Sequence, residues 1–132
     1  MTKSKGFTII ELIVVIAIIA VLASVVLVNV TSYINKGKDS AIQANMASAM
    51  TTAAGYYDTN STYVNLPTAS ATYAAVLTSI GNAGGTVTHF EIVDAYCLQS
   101  TLHAGGSWCV DSTGYKGAIA NCDATNLNCA AD

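Results

Sequence analysis

Lys5-Gly6-Phe7-Thr8-Ile9-Ile10-Glu11-Leu12-Ile13-Val14-Val15-Ile16-Ala17 is the stretch around which the rest of the chain is arranged. A short basic leader ends in glycine, an aromatic residue follows, and an apolar run then extends from Phe7 to Val30 with one charged side chain, Glu11, inside it. At about 1.5 Å per residue a helix of that length reaches ~36 Å, enough to cross the hydrocarbon core of a bilayer. An acid in a spanning helix costs up to about 2.5–3.5 kcal/mol at mid-bilayer and less towards the edge. Glu11 therefore needs a partner and is a functional candidate.

Two simpler explanations fail on particular residues. Val21-Leu22-Ala23-Ser24 offers small side chains to a signal peptidase. Yet Glu11 would then lie inside the apolar region, and hydrophobicity continues beyond the site through Val25-Val26-Leu27-Val28. A plain membrane anchor explains the run but neither the Gly6-Phe7 junction nor the glutamate. Lys3 and Lys5 face Lys36 and Lys38 across the run, with Asp39 beside the second pair, which tilts the N-terminus only slightly towards the cytoplasm.

Leader, Gly6-Phe7 junction, Glu11 and long apolar run together resemble the N-terminus of type IV pilins and the related pseudopilins of type II secretion and DNA-uptake machines. The resemblance covers about the first thirty residues. It implies that a prepilin peptidase cuts after Gly6 and methylates the new N-terminus at Phe7. It further implies that Glu11 meets the N-terminal amine of a neighbouring subunit during filament assembly, with Thr8 able to support the same contact. The partners implied are further copies of the chain, the peptidase, the membrane before assembly, and a pilus or secretion machine. Pilins often carry a glycine and a proline inside this first half; the matching positions here are Ala20 and Val28, and the first proline is Pro67.

Beyond Val30 the composition changes to Ala, Thr, Ser, Asn and Gly, so the remainder of the 132 residues forms one small domain with a thin core. The formal charge is −3, and loss of Lys3 and Lys5 takes it to −5. With no arginine and only Lys36, Lys38 and Lys116 left, no basic stripe for nucleic acid exists. Cys97, Cys109, Cys122 and Cys129 make an even count in a domain expected outside the cytoplasm, which reads as disulfides. Their intervals are too long for C-x₂₋₄-C zinc pairs. Three pairings are open, and the two local bridges, 97–109 with 122–129, are the expectation.

Helical periodicity continues past the membrane. Ile34, Ile42, Met46, Ala49, Met50, Ala53 and Tyr57 form one stripe, opposite Lys38, Asp39, Gln43, Asn45 and Thr52. One helix is expected from Phe7 to about Tyr57, with a bend possible at Gly37, followed by a loop at 60–67 and a second helix over 69–80. The period then changes to two at Thr88, Phe90 and Ile92. A hairpin centred on His103 would set Cys97 opposite Cys109, Leu98 opposite Trp108 and Tyr96 opposite Val110. Residues 115–120 read as a further strand.

Other constellations are weaker. His89, His103, Ser107 and Asp94 allow a hydrolase triad to be drawn, but no nucleophile elbow is present, so no catalytic residue is expected. Asp111, Asp123 and Asn126 offer oxygens to calcium but lack the spacing of an EF-hand loop, so no metal or other cofactor is expected. Tyr56, Tyr57 and Tyr63 read as packing beneath the domain.

The expected fold is α+β, a long N-terminal helix on a small antiparallel sheet. Its divisions are a leader at 1–6, a spanning and polymerisation helix at 7–30, an amphipathic half at 31–57 and a globular part at 58–132. The expected function is that of a structural subunit of a type IV pilus-like filament, in the cytoplasmic membrane before assembly and on the cell surface after it. A pseudopilin of a secretion or DNA-uptake system is the alternative within the family, and a membrane-anchored binding module the alternative outside it.

Overall fold

A computed structural model describes residues 6–118, 122–125 and 127–129 of the chain, apart from the side chain of Val28. The first element, α1 (Ile9–Asn60), is one helix of 52 residues, unbroken at Gly37. The chain divides within it, between Ile34 and Asn35, into two compact units.

In the first unit, Ile and Val dominate a sequence whose β-branched side chains are mediocre helix formers in water. Inside lipid the backbone must satisfy its own hydrogen bonds, which selects the helix regardless. Ser24 and Thr31 turn their hydroxyls onto the carbonyls of Val21 and Leu27, at 2.7 and 3.1 Å, so these polar groups are satisfied within the helix.

The second unit is built on residues 35–60 of α1. Ile42, Met46, Ala49 and Ala53 are fully buried, and Met50 and Tyr57 are partly so, as the stripe predicts, whereas Ile34, expected in the same stripe, is 53% exposed and belongs to the first unit. The helix continues to Asn60, past the expected end near Tyr57, and stops where Ser61 turns left-handed (φ 55°) with its N–H bonded to the Tyr57 carbonyl. The expected loop at 60–67 contains the start of a short helix, α2 (Leu66–Ala69), with Pro67 in its first turn. Next comes α3 (Ala71–Asn82), capped by Ser70, whose Oγ accepts from the Tyr73 N–H.

Four strands follow in a meander, β1 (Val87–Glu91), β2 (Tyr96–Thr101), β3 (Ser107–Asp111) and β4 (Lys116–Gly117), all antiparallel in sequential order. Of the strand expected at 115–120, only Lys116–Gly117 pairs; residues 119 and 120 lie outside the described residues. One sheet face carries Tyr96, Leu98 and Val110 against the α1 stripe, Leu66, Tyr73 and Ile80. The other carries Phe90, Cys97 and Cys109 and is covered by Cys122, Leu127 and Cys129, a second small core.

The hairpin register corrects the sequence reading. Cys97 lies opposite Asp111, Leu98 opposite Val110, Gln99 opposite Cys109 and Ser100 opposite Trp108, so the pairing is centred on Ala104 and slips by two residues from the expected one. A slip of two leaves each side chain on its expected face. It nevertheless separates Cys97 from Cys109, since diagonal neighbours lie about 7–8 Å apart and a disulfide needs Cβ atoms ~3.8 Å apart. The bridges are Cys97–Cys122 and Cys109–Cys129, not 97–109 with 122–129. Both cysteines of the hairpin are thus joined to the C-terminal segment.

Candidate functional site

Gly6, Phe7 and Thr8 precede the helix in non-helical backbone, and Phe7 is largely exposed. Glu11 Oε2 accepts from both the Thr8 N–H and the Thr8 hydroxyl, each at 2.8 Å, while the Glu11 N–H reaches back to Thr8 Oγ1 at 3.3 Å. This reciprocal arrangement is a capping box, in which an N-cap threonine and an acid three residues later satisfy donors that the first helical turn leaves open. The sequence reading gave Glu11 a partner in another subunit and missed this one in its own chain. The signal was present as Thr8-Ile9-Ile10-Glu11, the T-x-x-E pattern preceding an apolar run. The carboxylate is thus fixed at the start of the helix, on Thr8, the residue that follows Phe7.

Beyond the cap, the large apolar side chains from Ile9 to Leu27 that are described stand 45–77% exposed. By length and composition the helix is able to cross a membrane. An apolar surface of this extent needs lipid or other helices over it.

The histidines and the serine from which a triad could be drawn have separate partners. Ser107 Oγ accepts from Gln99, and His103 Nε2 lies 2.9 Å from the Ala83 carbonyl. Gly84 makes that approach possible. A Cβ on Gly84, whose φ is +93°, would stand 2.6 Å from His103 Nε2. His89 is held elsewhere, with Nδ1 3.0 Å from Glu91 Oε2 and its ring against Tyr73. Burial lowers the His89 imidazole to about 4, so at neutral pH the contact with Glu91 is a hydrogen bond from an uncharged ring, not an ion pair. Burial pushes Glu91 upward, against the opposing pull of a backbone N–H from Asn65.

Two buried aspartates have structural roles that the sequence did not disclose. Asp39, assigned above to the polar face of the helix, accepts the N–H groups of His103 and Ala104 at 2.7 and 3.0 Å, pinning the β2–β3 turn to α1. Asp111 Oδ1 accepts from the Thr113 N–H and hydroxyl and the Tyr115 N–H, while Oδ2 accepts from the Cys129 N–H at 2.8 Å. Asp123 closes its own turn onto Thr125. Asn126, the third oxygen donor considered, lies outside the described residues. Among the described residues no group of three or more His, Cys, Asp or Glu is placed to hold a metal. Tyr63 stacks on Tyr57 at 4.6 Å and meets Tyr96 at a tilt at 4.9 Å, and Tyr56 donates to the Val64 carbonyl, so the tyrosines pack beneath the domain as expected.

Comparison with known proteins gives two matches and one negative. The family model described as the prokaryotic N-terminal methylation motif matches residues 1–27. The type IV wide pilus major component PilA4 of Thermus thermophilus is 34% identical over 123 residues, covering 89% of this chain and 87% of that protein. No solved structure matches the chain.

Proposed function

The chain belongs to the type IV pilin family, and we propose that it is a structural subunit of a type IV pilus-like filament, polymerised through its N-terminal helix. One observation carries the proposal: an apolar helix capped by Thr8 and Glu11 whose described large side chains stand exposed along the span. In the membrane lipid covers it; in a filament sister helices would. Residues 1–6 serve as leader, removed by prepilin peptidase between Gly6 and Phe7, and Phe7 is then methylated. Residues 7–30 form the spanning and polymerisation segment, 31–57 its amphipathic continuation and 58–132 the globular part. The subunit waits in the cytoplasmic membrane and ends on the cell surface.

Glu11 acts as the register check. Its carboxylate is bonded to Thr8, the residue after the one whose nitrogen cleavage turns into a charged amine, and pairing with the amine of a neighbour relieves both charges on entry into an apolar bundle. A buried charge stripped of its partner costs about 3–5 kcal/mol, so an out-of-register subunit is rejected.

Intact mass and N-terminal sequencing of the protein from cells, without reductant, test the pathway. A chain beginning at methylated Phe7 and lighter by four hydrogens for its two disulfides is expected. A start at Met1 in cells that hold the peptidase would overturn the processing step. Glu11→Ala should leave cleavage intact and abolish sedimentable fibres; normal fibre yield would remove the register role.

A further inference from the structure

The second unit has two ends of opposite character. At one end, α1 begins its run through the unit with exposed Lys36 and Lys38, and the β2–β3 turn is fastened beside them by Asp39. The exposed residues nearby on the same elements are small: Ala41, Ala104, Gly105 and Gly106. At the other end the last turn of α1 carries exposed Asp58, and the β1–β2 turn with exposed Asp94 is held near the chain that follows this helix, because the Tyr63 N–H bonds the Val93 carbonyl. Among the described residues of this unit, the large hydrophobic side chains left exposed are Val64 (38%), Ile92 (45%) and Val93 (59%), and the same hydrogen bond gathers them there. The remaining described lysine, Lys116, pairs with Val110 on the far edge of the sheet, about 14 Å across three strand spacings from β1.

We propose that these ends are the two halves of a contact between copies of this chain, the acidic apolar end of one subunit seating on the basic small-residue end of the next. The inference rests on the filament function above and names a surface that function leaves open. Val64, Ile92 and Val93 supply apolar area that water would otherwise cover, and the lysine stems with Ala41 and Ala104 supply the floor that receives it. Asp58 and Asp94 meet Lys36 and Lys38, which fixes polarity, since two like ends repel. The two surfaces differ, so the contact is head-to-tail and does not close on itself, as an open filament requires.

A zero-length carbodiimide applied to assembled filaments tests it, because that reagent joins only carboxylates and amines already in contact. Lys36 and Asp58 are separated by about 33 Å of helix within one chain, so a link between the two ends joins two copies. Mass spectrometry should find Asp58 or Asp94 joined to Lys36 or Lys38 in filaments and not in detergent-dispersed subunits. Links confined to Lys116, or to other carboxylates, would overturn the contact while leaving the filament in place. A wild-type preparation without sedimentable polymer would overturn the filament function and the contact with it.

Charge exchange gives a second readout. Lys36→Glu with Lys38→Glu, and separately Asp58→Lys with Asp94→Lys, should each lower fibre yield about fivefold, and the four changes together should restore it. If the lysine changes instead deplete the subunit from the membrane before assembly, and the combination does not rescue, the lysines serve anionic lipid headgroups and the contact is overturned.

Discussion

Asp39→Ala removes the acceptor of two backbone donors at once. Its carboxylate holds the N–H groups of His103 and Ala104 at 2.7 and 3.0 Å, and the side chain is only 8% exposed. A buried donor left without a partner costs about 1–3 kcal/mol, and two would cost up to roughly twice that. Ala104 itself is exposed, so water will reach part of the vacated site, and a loss of about 2–3 kcal/mol is the expected total. With a urea slope of about 1–2 kcal/mol per molar for a domain of this size, the midpoint should fall by roughly 1–3 M. Trp108 is the single tryptophan, half-buried on β3 close to the affected turn, so its fluorescence in the full chain in detergent reports the transition. Amide exchange at residues 103 and 104 should accelerate in parallel. Asp39→Asn should lose a comparable amount, because it keeps one acceptor and turns an N–H against the other donor. A midpoint shift below about 0.3 M with both amides still protected would refute the assignment of Asp39 as the fastener of this turn.

Three further outcomes are expected. Non-reducing peptide maps should join the peptide of Cys97 to that of Cys122 and the peptide of Cys109 to that of Cys129; sequence separations of 25 and 20 correspond to about 3–3.5 kcal/mol for each bridge alone, so Cys122→Ser should lower the unfolding midpoint markedly. Thermal stability should fall as pH drops from about 6.5 to 4, because the unfolded chain protonates His89 near 6.5 and the folded one only near 4. After allowance for solvent screening this amounts to about 1–2 kcal/mol. Glu91, raised in the folded state, acts in the opposite sense by taking up its proton earlier than the unfolded chain, and His89→Gln should flatten the fall. Gly85→Ala should destabilise by about 1–3 kcal/mol, since a Cβ there would collide with Ser100 Oγ and press on Ile80 and Ile42; unaltered melting would show that the turn shifts freely.

The parts of the fold legible in the sequence are those fixed by local periodicity. The apolar run and the 3.6-residue stripe marked α1, and alternation placed Cys97 and Cys109 on one sheet face with Leu98 and Val110 on the other. Register was not legible, because it depends on how the turn is built. Gly105 and Gly106 both adopt positive φ at the end of the loop, and Asp39 anchors its two amides from 64 and 65 residues away. A pattern that counts apolar positions assigns such an aspartate to water. The disulfide pairing followed the register into error, since a two-residue slip is what separates Cys97 from Cys109. At the N-terminus the limit was different: Thr8 and Glu11 were both singled out for a partner in trans, and their reciprocal bonds in cis were readable from spacing alone.

The two bridges interleave, Cys109 lying between Cys97 and Cys122 in the chain while Cys129 lies beyond both. A filament is a tensile object, and this crossing decides how a load enters the domain. Tension applied between Cys122 and Cys129 is delivered through sulfur to β2 and β3 side by side. The intervening chain is hidden slack: 25 residues separate Cys97 from Cys122, roughly 80–90 Å of contour at full extension, which no pull can draw out while the sulfurs stay joined. Reduction would therefore convert a taut element into an extensible one.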